Sequence, residues 1–137
     1  MSQKLIRSLY ESRLKAWAEA RNPALQIACE NAQFNPPAGT YLAVFQLPAD
    51  TTSADLAGGL RNRTGVFQVN IVCATGNGPG EGQGIAAELD ALFPNNLRLT
   101  SGQFTVQSVT PTRERQPVSA DNRFTVPVDL QYRSDST

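Results

Sequence analysis

Residues 123–132 alternate without a break. Phe124, Val126, Val128, Leu130 and Tyr132 take every second position, and Arg123, Thr125, Pro127, Asp129 and Gln131 stand between them. A period of two is the repeat of a strand with one face buried, and a slip of one residue would turn every apolar side chain to water. The segment therefore specifies a strand and its register, and a strand needs a sheet. Two more segments supply one: Thr40–Leu47, which is β-branched and aromatic and almost free of charge, and Thr64–Ala74, where Phe67, Val69, Ile71 and Cys73 share a face opposite Gln68 and Asn70. Pro127 has no amide hydrogen to give a ladder, so one side of the last strand is expected to face an edge.

Two segments follow helical spacing instead. In residues 3–20, Leu5, Ile6, Leu9, Tyr10, Leu14, Trp17 and Ala18 form one stripe, and Lys4, Arg7, Glu11, Lys15 and Glu19 lie mostly off it. Ser2 is placed to cap this helix, Glu11 stands four residues before Lys15 in the favourable order for an ion pair, and Asn22-Pro23 ends the pattern. Ile85, Leu89 and Leu92 mark a second helix that stops at Pro94. A short strand is expected across Leu25–Cys29. A hairpin is expected from Leu97–Thr100 and Gln103–Thr110 through Ser101-Gly102, and a fraying tail from Ser134. The 137 residues fit a single domain, 1–137, large enough to bury a core without disulfide or metal. The order of elements predicts an α+β fold: a mixed, largely antiparallel sheet, two helices on one face, and long hairpin arms.

Chemistry is narrowed by what is missing. There is no histidine, so neither a Ser-His-Asp triad nor a Cys-His pair can be built. The only lysines, Lys4 and Lys15, are both on the first helix. Cys29 and Cys73 stand in apolar, strand-like surroundings and read as small buried hydrophobes in a reducing compartment. Glu88 and Asp90 are two apart on a helix and do not face each other. The run Gly76, Gly78, Gly80, Gly82, Gly84 alternates without break and lacks the Lys-Ser/Thr pair of a P-loop, so it reads as a flexible strand-to-helix connection over residues 75–84. No catalytic, cofactor or metal site is expected. Net charge is zero, which argues against broad nucleic-acid binding and against attachment to an anionic membrane. The N-terminus carries charge throughout its first two dozen residues, and synthesis in the cytoplasm is expected.

What remains is charge on two polar segments. Pro48–Arg63 separates two strands and contains Asp50, Asp55, Arg61 and Arg63, and Pro111–Asn122 contains Arg113, Arg115 and Asp121. Segments this long between strands are functional or disordered. Arginine forks meeting carboxylates of a neighbour would make both arms docking elements. Solvated loop charge is the simpler alternative.

Several stretches together resemble the tail terminator, or tail completion, proteins of long-tailed bacteriophages. These are the opening helix that runs to Trp17-Ala18, Tyr41-Leu42-Ala43-Val44-Phe45 with its polar arm, Gly65-Val66-Phe67-Gln68-Val69-Asn70-Ile71, the Gly-rich connection, Glu88-Leu89-Asp90-Ala91-Leu92-Phe93-Pro94 and the final hairpin. The resemblance implies a structural virion protein at the head-proximal end of the tail. It would self-associate as a ring, usually a hexamer, that caps the tail tube, ends its polymerisation and offers a surface to a head-completion or connector protein. It implies no enzyme activity and no cofactor or membrane partner, and DNA only as it passes through the ring. Another neck or tail component, such as a head–tail joining or minor tail protein, is the nearest alternative. A small-ligand or nucleotide-binding module using residues 76–84 is a more distant one.

Overall fold

The computed structural model describes residues 3–21, 24–30, 32–53, 61–74, 80–120 and 122–136, with the backbone alone at Asp50, Thr52, Ser53, Arg61 and Ser136. Helix α1 (Gln3–Ala20) leads to strand β1 (Gln26–Ala28) and to the long strands β2 (Tyr41–Ser53) and β3 (Arg61–Ala74). Helix α2 (Gly80–Leu92) follows, then β4 (Arg98–Ser101), β5 (Phe104–Ser108), β6 (Arg113–Glu114), β7 (Val118–Ala120) and β8 (Arg123–Ser136). They form one sheet in the order β1-β2-β3-β8-β5-β4, with β6 and β7 also paired to β8. Only β1–β2 is parallel. The α+β class and the mixed, largely antiparallel sheet follow the expectation.

The alternation in β8 sets the register. Val126, Val128, Leu130 and Tyr132 are buried, and they stand opposite Ile71, Val69, Phe67 and Gly65 of β3. Both helices cover this face. Helix α1 delivers Ile6, Tyr10, Leu14 and Ala18, each fully buried and spaced by four. Tyr10 stacks on Phe67 with ring centroids 5.1 Å apart and touches Phe93 and Tyr132. Its hydroxyl shares a 2.8 Å hydrogen bond with Ser108. Burial pushes the Tyr10 phenol up to about 12. The helices are tied together by Arg21–Glu88 at 3.0 Å and by Arg13, whose Nε donates to the Leu92 carbonyl at the end of α2.

Gly65 is a close-approach position. A β-carbon there would lie 2.3 Å from the Tyr132 hydroxyl, so the absent side chain is what lets the tyrosine ring cross β3. That hydroxyl donates to Gln3 Oε1 at 2.6 Å and lies 3.1 Å from Gln46 Nε2, which also donates to the Gln3 carbonyl. The first turn of α1 is therefore pinned at the level of the Pro48–Gly65–Tyr132 row, and β2, β3 and β8 continue beyond it.

Several expectations need correction. The polar segment from Pro48 to Arg63 is not all loop: the ladder resumes after an irregularity between Pro48 and Thr51 and pairs Thr51, Thr52 and Ser53 with Arg63, Asn62 and Arg61. The tail does not fray at Ser134, because Ser134, Asp135 and Ser136 pair with β3, and Ser134 Oγ donates to the Thr105 carbonyl. Residues 75–84 are not all connection, since α2 begins at Gly80. Among the described glycines of the run, Gly82 is the packing position: a β-carbon would meet Val126 at 2.8 Å, whereas Gly80 and Gly84 face open space.

Pro127 does not mark an edge either, because β8 has neighbours on both sides. The Pro127 carbonyl accepts from Arg115 N at 2.8 Å. Within a strand the N–H and C=O of one residue point the same way, so the missing donor falls in the gap between β6 and β7, where no partner is asked of it. Glu11 pairs with Arg7 at 3.9 Å, not with Lys15. The Ser101–Phe104 hairpin forms as expected, with Gly102 at φ 61.

Candidate functional site

The charged residues singled out in the sequence meet different fates. Asp50 lies in β2 with only its backbone described, and Asp55 and Asp121 lie outside the described residues. Arg61 and Arg63 are on the β3 side of the ribbon, where they pair through backbone with Ser53 and Thr51 on one flank and with Ser136 and Ser134 on the other. Arg63 is half-buried. These two arginines thus stand at the base of the segment that joins β2 to β3, on a three-stranded support.

The second polar segment is not a free arm. Strands β6 and β7 fold back along β8, with Arg113 opposite Asp129 and Val118–Ala120 opposite Thr125–Arg123. Both arginines converge on one carboxylate. Arg115 Nε donates to Asp129 Oδ2 at 2.7 Å and Arg113 Nε to Oδ1 at 3.2 Å. The Asp129 side chain is only 7% exposed, whereas Arg113 and Arg115 are about half exposed, at 41% and 51%. The carboxylate raises the pKa of Arg115 by accepting its hydrogen bond. Asp129 was readable as a carboxylate set among apolar neighbours, but nothing in the periodicity named its partners. Arg123 was likewise missed. It donates to the carbonyls of Gly39 and Pro37 and lies 5.4 Å over the Tyr41 ring, clamping the Pro-rich turn to the sheet.

A second surface lies where the sequence shows only a helix and a short strand. A groove of about 650 Å³ runs between α1 and β1. Leu25, Ile27, Ala18 and Phe34 contribute apolar surface, and Lys4, Arg7, Lys15, Glu11 and Glu19 add charge. Cys29 also lines it, so this thiol is exposed, against expectation, whereas Cys73 is buried as expected. Desolvation and the Glu11 carboxylate, which accepts from Sγ at 3.9 Å, push the Cys29 thiol up and hold it protonated. Strand β1 is one end of the sheet path and β4 the other. Among the described residues no cluster of Cys, Asp and Glu could hold a metal ion, and no helix is long and apolar enough to cross a membrane.

These features define a class: an α+β domain whose outward chemistry is sheet edges, half-exposed arginines and a charged groove. Comparison with known proteins places it further. The family model described as phage tail terminator protein matches residues 5–132, and the chain belongs to that family. It is accordingly a phage tail structural protein and a component of the virion. A solved structure whose designation names no function is 49% identical, with a TM-score of 0.84 and with 98% of this chain and 96% of that chain covered. A search of curated proteins returned no match.

Proposed function

We propose that copies of this chain form a ring, a hexamer, that caps the finished tail tube, stops its growth and presents its opposite face to a head-completion protein. The observation that carries this reading is the family match, which runs through both helices and every strand, leaving out only a few residues at each end. The fold suits it. The sheet ends in two different edges, and a heterologous contact repeated by rotation closes into a ring. Contacts of this kind bury on the order of 1,200–2,000 Å². No substrate or cofactor enters the reading, and DNA is involved only by passing through the ring.

Arg61, Arg63, Asp50 and Asp55 are assigned to contacts with neighbours or with the tube. Arg113 and Arg115 are assigned there too: half exposed and bonded to a single carboxylate, they keep donors for a second acceptor. The test is tube growth. Purified tail tube protein is polymerised with and without the chain, and lengths are measured by electron microscopy. Tubes that stop growing, with a ring at one end, support the reading. Tubes that grow unchanged while the chain binds only connector protein would reassign it to head–tail joining.

A further inference from the structure

We propose that copies join side to side along the sheet: the bare side of β2 in one copy meets the bare side of residues 109–120 in the next, with Leu47 packed on Val109 and Glu30 shared with Arg113 and Arg115. The inference rests on the ring reading above and names its two surfaces.

Each side of the sheet is covered over only part of its length. Strand β1 pairs with β2 at residues 41–43, and among the described residues no strand lies outside residues 44–49. On the far side β4 covers β5 alone. Residues 109–120 run along β8 through β6 and β7, and among the described residues no strand lies outside them. The two bare stretches share a height. Leu47 stands opposite Val66, Val66 stands opposite Gln131, and the Gln131 carbonyl accepts from Val109 N at 2.9 Å. This row crosses the face that the helices leave open. It ends in an exposed apolar side chain on either side, Leu47 at 51% and Val109 at 43%. Among the described residues one other large apolar side chain is as exposed, Val118, and it is on the Val109 side.

Strand directions suit rotation. Neighbours from β2 to residues 113–120 are antiparallel, so β2 and β8 run one way and β3 and residues 113–120 the other. Rotation about an axis along the strands keeps these directions, so the β2 side of one copy meets the far side of the next antiparallel. The two sides are different patches, and such a contact closes into a ring.

Charge agrees with this. Glu30 lies at the bare side of β2, where its carboxylate accepts from Gln46 N, and it takes part in no ion pair among the described residues. Across the sheet Arg113 and Arg115 share the one carboxylate of Asp129, which leaves one positive charge in excess. Phe45, Gln68, Asp129 and Arg113 form a row of their own. Glu30, held at Gln46, therefore stands between this row and the Leu47 row, level with the arginines of the next copy. Half-exposed guanidinium groups keep donors for that second carboxylate. Pro48 has no N–H and Glu30 occupies that of Gln46, so the β2 edge is blunted against arbitrary strands, and side chains carry the contact.

The test uses two proteins, Leu47→Cys/Cys29→Ser and Val109→Cys/Cys29→Ser. The Cys29 change removes the exposed native thiol, and Cys73 is buried. They are mixed and treated with a short bis-maleimide, free at high concentration and again on tail tubes. The expected product is a dimer whose linked peptide joins residue 47 of one protein to residue 109 of the other, with no such dimer from either protein alone. Leu47→Asp should weaken association at least about tenfold, or ~1.4 kcal/mol, and leave the urea midpoint of the single chain unchanged because the site is exposed. Glu30→Gln keeps an acceptor for Gln46 N and removes only the charge. It should weaken association about threefold, and by less when Arg115→Ala is also present. Oligomers that form without a 47–109 linkage, or association that Leu47→Asp leaves unchanged, overturn the side-to-side contact and leave the ring standing. Absence of any oligomer, both free and on tubes, overturns the ring and the contact together.

Discussion

Asp129 is a carboxylate in the middle of the chain's most regular apolar strand, and it is tolerated there because two guanidinium groups reach it from β6 and the residues after it. Neither arginine is individually essential, since the other remains. Removing both leaves a carboxylate of low exposure without a cation, which is the costly situation. Arg113→Ala and Arg115→Ala should each shift the urea midpoint little. The double variant should shift it by more than the two single shifts together, a coupling that a double-mutant cycle reads directly. Tyr10 offers a pH test. Its phenol is lifted from 10.0 to about 12 by burial, so the stability contributed by the protonated form is complete below pH 10 and is lost as pH rises through 12. Two units correspond to on the order of 2–3 kcal/mol. Urea titrations at pH 9 and pH 12 should differ by at least about that much, and Tyr10→Phe should remove about that much of the difference, with the remainder from Tyr132 and from the Cys29 and Cys73 thiols, all raised by burial. The alternation of β8 told which face Asp129 occupies. Its partners were hidden because pairing across a loop leaves no local periodicity.

At the scale of elements, the glycine-rich start of α2 shows what composition conceals. Five alternating glycines read as a flexible connection, yet three of them, Gly80, Gly82 and Gly84, are helical, and only Gly82 is held in place by packing, against Val126. Gly84 faces open space in a helix, where alanine is favoured by roughly 0.5–1 kcal/mol. Gly84→Ala should therefore raise the melting temperature. Gly82→Ala, chemically the same change two residues earlier, should lower it by forcing β8 away, at roughly 1–3 kcal/mol. Helix α1 was legible to the residue, because its stripe packs on a sheet as its spacing says. The two polar segments were legible only as breaks in pattern. Pro48–Arg63 turned partly into ladder because Thr51–Ser53 meet Asn62 and its neighbours in register. The segment after Pro111 lies along β8 because the strand's second side was open there and Arg113 and Arg115 had Asp129 to bind. The groove could not be read at all, since it forms between α1 and β1 only once the fold sets them side by side, and neither sequence announces it.

For the whole molecule, the distinction that matters is between a contact that a copy makes with the same patch on its partner and one between two different patches. The first stops at a dimer, and the second continues until rotation closes it. A ring of the kind proposed needs two different patches on every copy, whereas one shared patch would end at two copies. Protein released from capped tail tubes should therefore give one closed ring mass by native mass spectrometry, with no dimer accumulating as an end product. A dimer that grows no further at any concentration would mean that the copies meet through a single shared patch.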